Sequence, residues 1–202
     1  LDLNINNETF LKEKQKIVGV ALVSIGDQTT SLSVFENGLL VSLQTFSIGS
    51  SDITNDIALG LKIPLDTADR LKQGITDETI SNKKLVEIIE ARLSDIFELL
   101  ENHFKKIKRN GLLPAGIVFV GGGANIKGLE ESAKSVLKLP ATIGTTEIFN
   151  NEKTKLRDAA WFTVLGLLLT TKNNESYGDS SMGNLFKDIK NAIKASLKQL
   201  MP

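Results

Sequence analysis

The chain has 202 residues, with 24 Lys and Arg balanced by 24 Asp and Glu, one histidine and no cysteine. That length holds one ordinary domain with appendages, and the charge balance gives no global nucleic-acid signature. Without cysteine neither a disulfide framework nor a thiolate metal site is available, which fits a reducing compartment, and a lone histidine excludes His-rich metal sites and leaves little room for a histidine-based triad.

In chain order, residues 1–16 read as a charged approach segment. The chain opens on Leu1 with no signal-peptide pattern, so it is expected to be the later part of a longer protein. The apolar run Ile17 to Val23 predicts a central strand covered on both faces. Gly26-Asp27-Gln28 makes a turn, and Thr29 to Phe35 returns as an alternating strand. Asn37-Gly38 is a strong hairpin signal leading to a third strand, Leu39 to Phe46. Gly49 then opens a helix over 52–61, with Ser51 or Asp52 as its cap. Pro64 starts a short helix to Gln73.

After a polar stretch, Gly74 to Ile80, residues 81–109 form a long amphipathic helix with an apolar face from Leu85 to Ile107. On it His103, among Glu101, Lys105 and Lys106, reads as a solvated surface residue, and Glu90 with Arg92 as a surface pair. The strand Gly116 to Val120 ends in Gly121-Gly122-Gly123-Ala124-Asn125 before a helix over 126–137. A short strand near 141–144 and a core helix over 158–170 close the domain. The apolar run inside that last helix is too short to cross a bilayer, which takes about 20 residues. The order is three antiparallel strands, helices, strand, helix, strand, helix. It is the order of the ribonuclease-H-like half-domain from which actin-like ATPases are built: a mixed five-stranded sheet with flanking helices.

Two glycine-bearing turns follow strands. In Gly121, Gly122 and Gly123 a strand delivers bare backbone, so a planar or charged ligand can approach closely and a helix begins nearby. It is not a P-loop, because no Gly-Lys-Ser/Thr follows. In the other turn, Ser24 to Thr30, one glycine and two hydroxyls suit phosphate, but Asp27 repels it and Ser24 offers no carboxylate to a magnesium shell.

Residues 171–184 are a polar, turn-rich tether ahead of a helix over 185–202. Leu185, Phe186, Ile189, Ile193, Leu197, Leu200 and Met201 fall on one stripe, and Lys187, Lys190, Lys194 and Lys198 gather beside it. A tethered helix that is greasy on one face and basic beside it suits an interface with anionic headgroups, ahead of packing on its own domain or in the groove of a partner protein. A single short helix is marginal in water, so firm attachment needs several copies side by side, which argues for self-association of the globular part.

Four segments together resemble the FtsA family of actin-like bacterial cell-division proteins. They are Val20 to Phe35, Gly49 to Leu61 with Ile63-Pro64-Leu65, Ile88 to Arg92, and Gly116 to Leu129; the amphipathic tail completes the set. The resemblance implies an adaptor that binds ATP with magnesium between two lobes and polymerises with itself. It also implies that the adaptor holds the ring protein FtsZ on the cytoplasmic face of the cell membrane as a peripheral protein. By position it places Gly26, Thr29 and Thr30 at the nucleotide phosphates, Gly49, Glu90 and Arg92 near the sugar, and Gly121 to Gly123 on the adenosine side. The family pattern Asp-Ile-Gly-Gly-Gly-Thr-Thr stands here as Ser24-Ile25-Gly26-Asp27-Gln28-Thr29-Thr30, so an adaptor is expected ahead of an active enzyme. The insertion that forms part of the FtsZ-docking subdomain in the family is reduced, after Gly74, to a few polar residues. An ATPase or kinase of the same superfold and a PilM-like pilus-assembly adaptor are the alternatives.

Overall fold

The computed structural model describes residues 11–75 and 80–145. The expected core helix over 158–170, the tether and the terminal amphipathic helix lie outside the described residues. Five strands, β1 (Val20–Ile25), β2 (Thr30–Glu36), β3 (Leu39–Phe46), β4 (Ile117–Val120) and β5 (Ala141–Ile143), form one sheet in the order β3-β2-β1-β4-β5. β1, β2 and β3 are antiparallel neighbours, while β4 pairs parallel with β1 and β5 parallel with β4. This is the mixed sheet that the element order predicts.

Central placement explains the composition of the strands. Every residue of β1 and of β4 is buried, as near-continuous apolar runs require when a parallel pair is covered on both faces. At the β2–β3 hairpin Asn37 and Gly38 both adopt positive φ, 53° and 76°, the turn whose twist matches that of the strands it joins.

Two boundaries differ from the sequence reading. A six-residue helix, α1 (Glu13–Val18), precedes β1, so Ile17 and Val18 lie on an exposed helix end and not in the central strand. Gly19, at φ 108°, breaks α1 and starts β1 one residue later. In α2 (Ser50–Leu61) the N-cap is Gly49, not Ser51 or Asp52. Asp52 still serves the helix start, because its carboxylate accepts the Gly49 N–H at 2.8 Å from the first turn.

Pro64 caps α3 (Leu65–Lys72), and α4 runs for 25 residues from Asn82 to Lys106. The expected stripe of α4 points inward: Leu93, Ile96, Phe97, Leu100 and Phe104 are buried. Phe97 meets Phe119 of β4 with ring centroids 6.2 Å apart and planes tilted by 59°. After β4 a 3₁₀ turn (Gly122–Asn125) leads to α5 (Leu129–Leu137). Among the described residues no helix is long and apolar enough to cross a membrane.

His103 is buried, against the expectation of a solvated side chain. Helical phase decides this: it lies one position before Phe104 on the stripe side, and its Nε2 is 2.8 Å from Ser42 Oγ of β3. Its ring also stands edge-on to Phe46. Burial first, and then the Lys106 charge, hold its pKa below the ordinary 6.5. The unfolded chain therefore binds the extra proton more readily. The stability contribution is complete above about pH 6.5 and is lost as pH falls through that value toward the lower folded pKa. Urea midpoints measured from pH 7.5 down to 5.5 should fall, and His103→Phe should flatten that slope. An equal slope in both proteins would assign the acid sensitivity elsewhere.

Candidate nucleotide-side cleft

β1 and β4 run parallel, so their carboxyl ends open at one edge of the sheet, the edge where ligands bind in open α/β folds. Three backbone turns meet there: residues 26–29 after β1, Gly49 before α2, and Gly121 to Asn125 after β4. The structure thus brings together Gly26, Thr29, Thr30 and Gly49, with Gly121, Gly122 and Gly123 alongside.

The first two turns are stitched to each other. The Gly26 N–H donates to Thr29 O at 2.8 Å, Ser50 N–H to Gly26 O at 2.9 Å, and Ser51 N–H to Asp27 O at 2.8 Å. The Ser51 hydroxyl donates to the same Asp27 carbonyl at 2.7 Å, and the buried Thr30 hydroxyl donates to Ile48 O at 2.8 Å. A Cβ on Gly49 would sit 2.3 Å from Asp27 O, so only glycine lets these backbones approach.

The third turn packs as closely. Gly121 has φ +85°, and a Cβ there would lie 2.5 Å from Ile25 O; one on Gly123 would lie 2.3 Å from Ile25 Cγ2. Two of the three consecutive glycines are therefore required by the seam between β4 and the end of β1. Gly122 is exposed and outside the left-handed region, so its backbone conformation does not call for glycine.

These contacts decide what the cleft can hold. The first amides of α2, at Ser50 and Ser51, are taken by Gly26 O and Asp27 O, and the Gly49 amide by Asp52. Those three amides are therefore not offered to an anion. Thr30 spends its hydroxyl internally, Asp27 presents an exposed carboxylate, and Ser24 stands buried where the family pattern has an acid. Among the described residues no three His, Asp or Glu side chains are placed to hold a metal. The side chains present therefore do not fit a magnesium-bound phosphate chain, and of the three glycines after β4 only Gly122 is exposed.

Arg92 stands close enough to this seam to feel the charge of Asp52, whose carboxylate takes the Gly49 amide. The Arg92 guanidinium reaches across to α2, with Nε 2.6 Å from Asp56 Oδ2 and Nη2 3.0 Å from Oδ1, and it also meets Asp95 at 3.3 Å. Asp56 lies seven residues beyond Gly49, about 10 Å along α2. Glu90 is exposed, so the expected surface pair with Arg92 is replaced by a helix–helix clamp.

One polar cluster was missed by sequence reasoning. Lys72 of α3 is nearly buried; its Nζ donates to Thr54 Oγ1 at 2.7 Å and to Ser50 O at 3.2 Å and pairs with Asp69 at 2.9 Å. The Lys72 hydrogen bond, acting against burial, holds the Asp69 carboxyl below its ordinary pKa. The i,i+3 pair Asp69–Lys72 was legible, but its target on α2 depends on how the two helices cross.

The family model described as cell division protein FtsA matches residues 21–166. The cell division protein FtsA of Pseudomonas aeruginosa is 28% identical over 194 residues, which cover 85% of this chain and 46% of that relative. The chain thus spans about half the length of the curated relatives it matches. MreB5 of Spiroplasma citri bound to ADP superposes with a TM-score of 0.64 at 18% identity, over 81% of this chain and 57% of that one. The PilM-PilN type IV pilus biogenesis complex gives a TM-score of 0.64 at 17% identity, over 78% and 47%. At such identities the structural likenesses establish the actin-like fold alone. The family match, over well more than half of the chain, goes further: the chain belongs to the FtsA family of cell-division proteins.

Proposed function

We propose that this chain is the second lobe and tail of an actin-like adaptor that self-associates and holds an FtsZ polymer on the inner face of the cytoplasmic membrane. The observation that carries the anchoring is the terminal pattern, an apolar stripe from Leu185 to Met201 flanked by Lys187, Lys190, Lys194 and Lys198. Family membership supplies the cell-division setting, and the FtsZ C-terminal segment is the partner that follows from it. The PilM-like alternative shares the fold, but the family match over residues 21–166 favours division.

Nucleotide belongs to the complete two-lobed protein. In that reading Gly121 to Gly123 receive the adenosine, Gly49 approaches the sugar, Thr29 is the hydroxyl left on the phosphate side, and the remaining phosphate and magnesium contacts come from the other lobe. The internally bonded first loop supports reading this lobe as a binding element rather than a hydrolytic one. Arg92, given to the sugar by position together with Glu90, also holds α4 against α2 through Asp56.

The anchoring can be measured by flotation with vesicles containing anionic lipid. Full burial of a Phe or Ile is worth about 1.5–3 kcal/mol. A helix lying in the interface buries each in part, and each added carboxylate opposes the surface charge by about 1 kcal/mol. Phe186→Glu with Ile193→Glu in the full-length protein should therefore weaken vesicle binding at least a hundredfold, a loss of about 3 kcal/mol. Thermal unfolding of the globular part should stay unchanged. Lost folding would place the stripe inside the protein, and unchanged flotation would end the anchor reading. Binding to an FtsZ C-terminal peptide separates this adaptor from a pilus-type one.

A further inference from the structure

The sequence contains Asn-Gly twice, and each time two leucines follow: Glu36-Asn37-Gly38-Leu39-Leu40 and Arg109-Asn110-Gly111-Leu112-Leu113. The fold brings the two segments together, because Arg109 Nη2 lies 2.7 Å and Nε 2.9 Å from Glu36 Oε2. Both asparagines and both glycines are exposed. An asparagine before glycine is chemically vulnerable. The next backbone nitrogen can attack the side-chain amide, and glycine has no Cβ to obstruct the approach. By local sequence the two sites are near equals.

Their backbones differ. In the β2–β3 hairpin the Asn37 N–H donates to Ile17 O at 3.0 Å and the Gly38 N–H to Lys16 O at 3.1 Å, both at the end of α1. Glu36 pairs with Leu39 in the ladder that closes the turn. The Gly38 nitrogen therefore cannot swing toward the Asn37 side chain without giving up its bond to α1. After α4 the Leu112 N–H donates to Arg109 O at 3.0 Å, closing a turn with Gly111 at φ 68° in the third position, where a type II turn needs glycine. Inside that turn the Gly111 N–H has no hydrogen-bond partner among the described residues. Leu112, which supplies the closing bond, is itself exposed.

We propose that Asn110 is a self-modification site: attack by the Gly111 nitrogen converts its side-chain amide to a carboxylate, while Asn37 keeps its amide. Solvent base removes the Gly111 N–H proton, and the nitrogen bonds to Asn110 Cγ. The Cγ–Nδ2 bond breaks, and ammonia leaves with a proton taken from water. Water then opens the succinimide at either carbonyl, which yields aspartate or an isoaspartate whose backbone runs through the side chain. The net change is the gain of one water and the loss of one ammonia, with no oxidant or reductant. A chain of no formal net charge gains a negative one, next in sequence to the cation that holds Glu36.

The two sites control for each other in one sample. The full-length protein is incubated in mildly alkaline buffer, folded or in concentrated urea. Both peptides are then followed by mass spectrometry, with the isoaspartate form separated by chromatography. In the folded protein Asn110 should convert at least tenfold faster than Asn37, the ratio that corresponds to a barrier difference of about 1.4 kcal/mol. In urea the two rates should converge, because the bonds to Ile17 O and Lys16 O are gone. Equal rates in the folded protein overturn the proposal, as does faster conversion of Asn37. The same preference for Asn110 in urea also overturns it, by assigning the difference to sequence neighbours. So does an Asn110 that keeps its amide in the folded protein over the time in which the unfolded chain loses it.

Discussion

Gly121→Val is expected to destabilise the globular domain by about 3–5 kcal/mol, enough to leave most mesophilic domains of this size marginal. Two costs add. A β-branched residue at φ +85° is strained by about 1–3 kcal/mol, and its Cβ would be driven 2.5 Å from the Ile25 carbonyl oxygen, an overpacking worth about 1–3 kcal/mol more. Gly122→Val offers the internal contrast. Its position is exposed and outside the left-handed region, so its stability should change by less than about 1 kcal/mol. Urea denaturation of the two variants side by side measures the difference. In the complete protein, loss of adenosine nucleotide binding by Gly122→Val at unchanged urea midpoint would mark the turn as ligand-facing. Equal stabilities for the two variants would remove the packing account of Gly121.

The same triplet shows where sequence reasoning ran out. Three glycines after an apolar strand announce a place where backbone must come close to something. The sequence cannot say that for Gly121 and Gly123 the something is Ile25 of the neighbouring strand. That answer needs the parallel pairing of β1 with β4 across nearly a hundred intervening residues. Signals that act within one turn of chain were readable: Asn37-Gly38, the buried stripe of α4, the wholly apolar β4. Ile17 and Val18 misled because a short apolar run has no period, and only Gly19 decides between helix end and strand start. His103 misled because charged neighbours in sequence lie on other faces of the helix, while its own azimuth brings it onto Ser42. The partners of Lys72 and Arg92 went unread for a shared reason: each long cation reaches to another helix, Lys72 to Thr54 and Arg92 to Asp56, and crossing geometry is a tertiary property.

Phe97→Ala is expected to cost about 3–5 kcal/mol, and Phe119→Ala a similar amount, because both rings are fully buried and a cavity is left where α4 meets β4. The two losses should not add. The rings touch at 6.2 Å, tilted by 59°, so the second truncation enlarges a cavity already formed and removes a contact already gone. An aromatic pair of this kind carries about 0.5–1.5 kcal/mol beyond its buried area, and a double-mutant cycle should return a coupling of that order. The consequence reaches the cleft. Phe119 lies two residues before Gly121, and the tight seam on Ile25 depends on β4 holding its height in the sheet. Truncation should therefore loosen the turn before the sheet melts. Hydrogen exchange at residues 121–125 should accelerate at denaturant concentrations where β1 and β2 stay protected. Simultaneous loss of protection at both places would mean that the seam and the sheet open as one unit, and that the ring pair stabilises the whole lobe without specially holding its ligand edge.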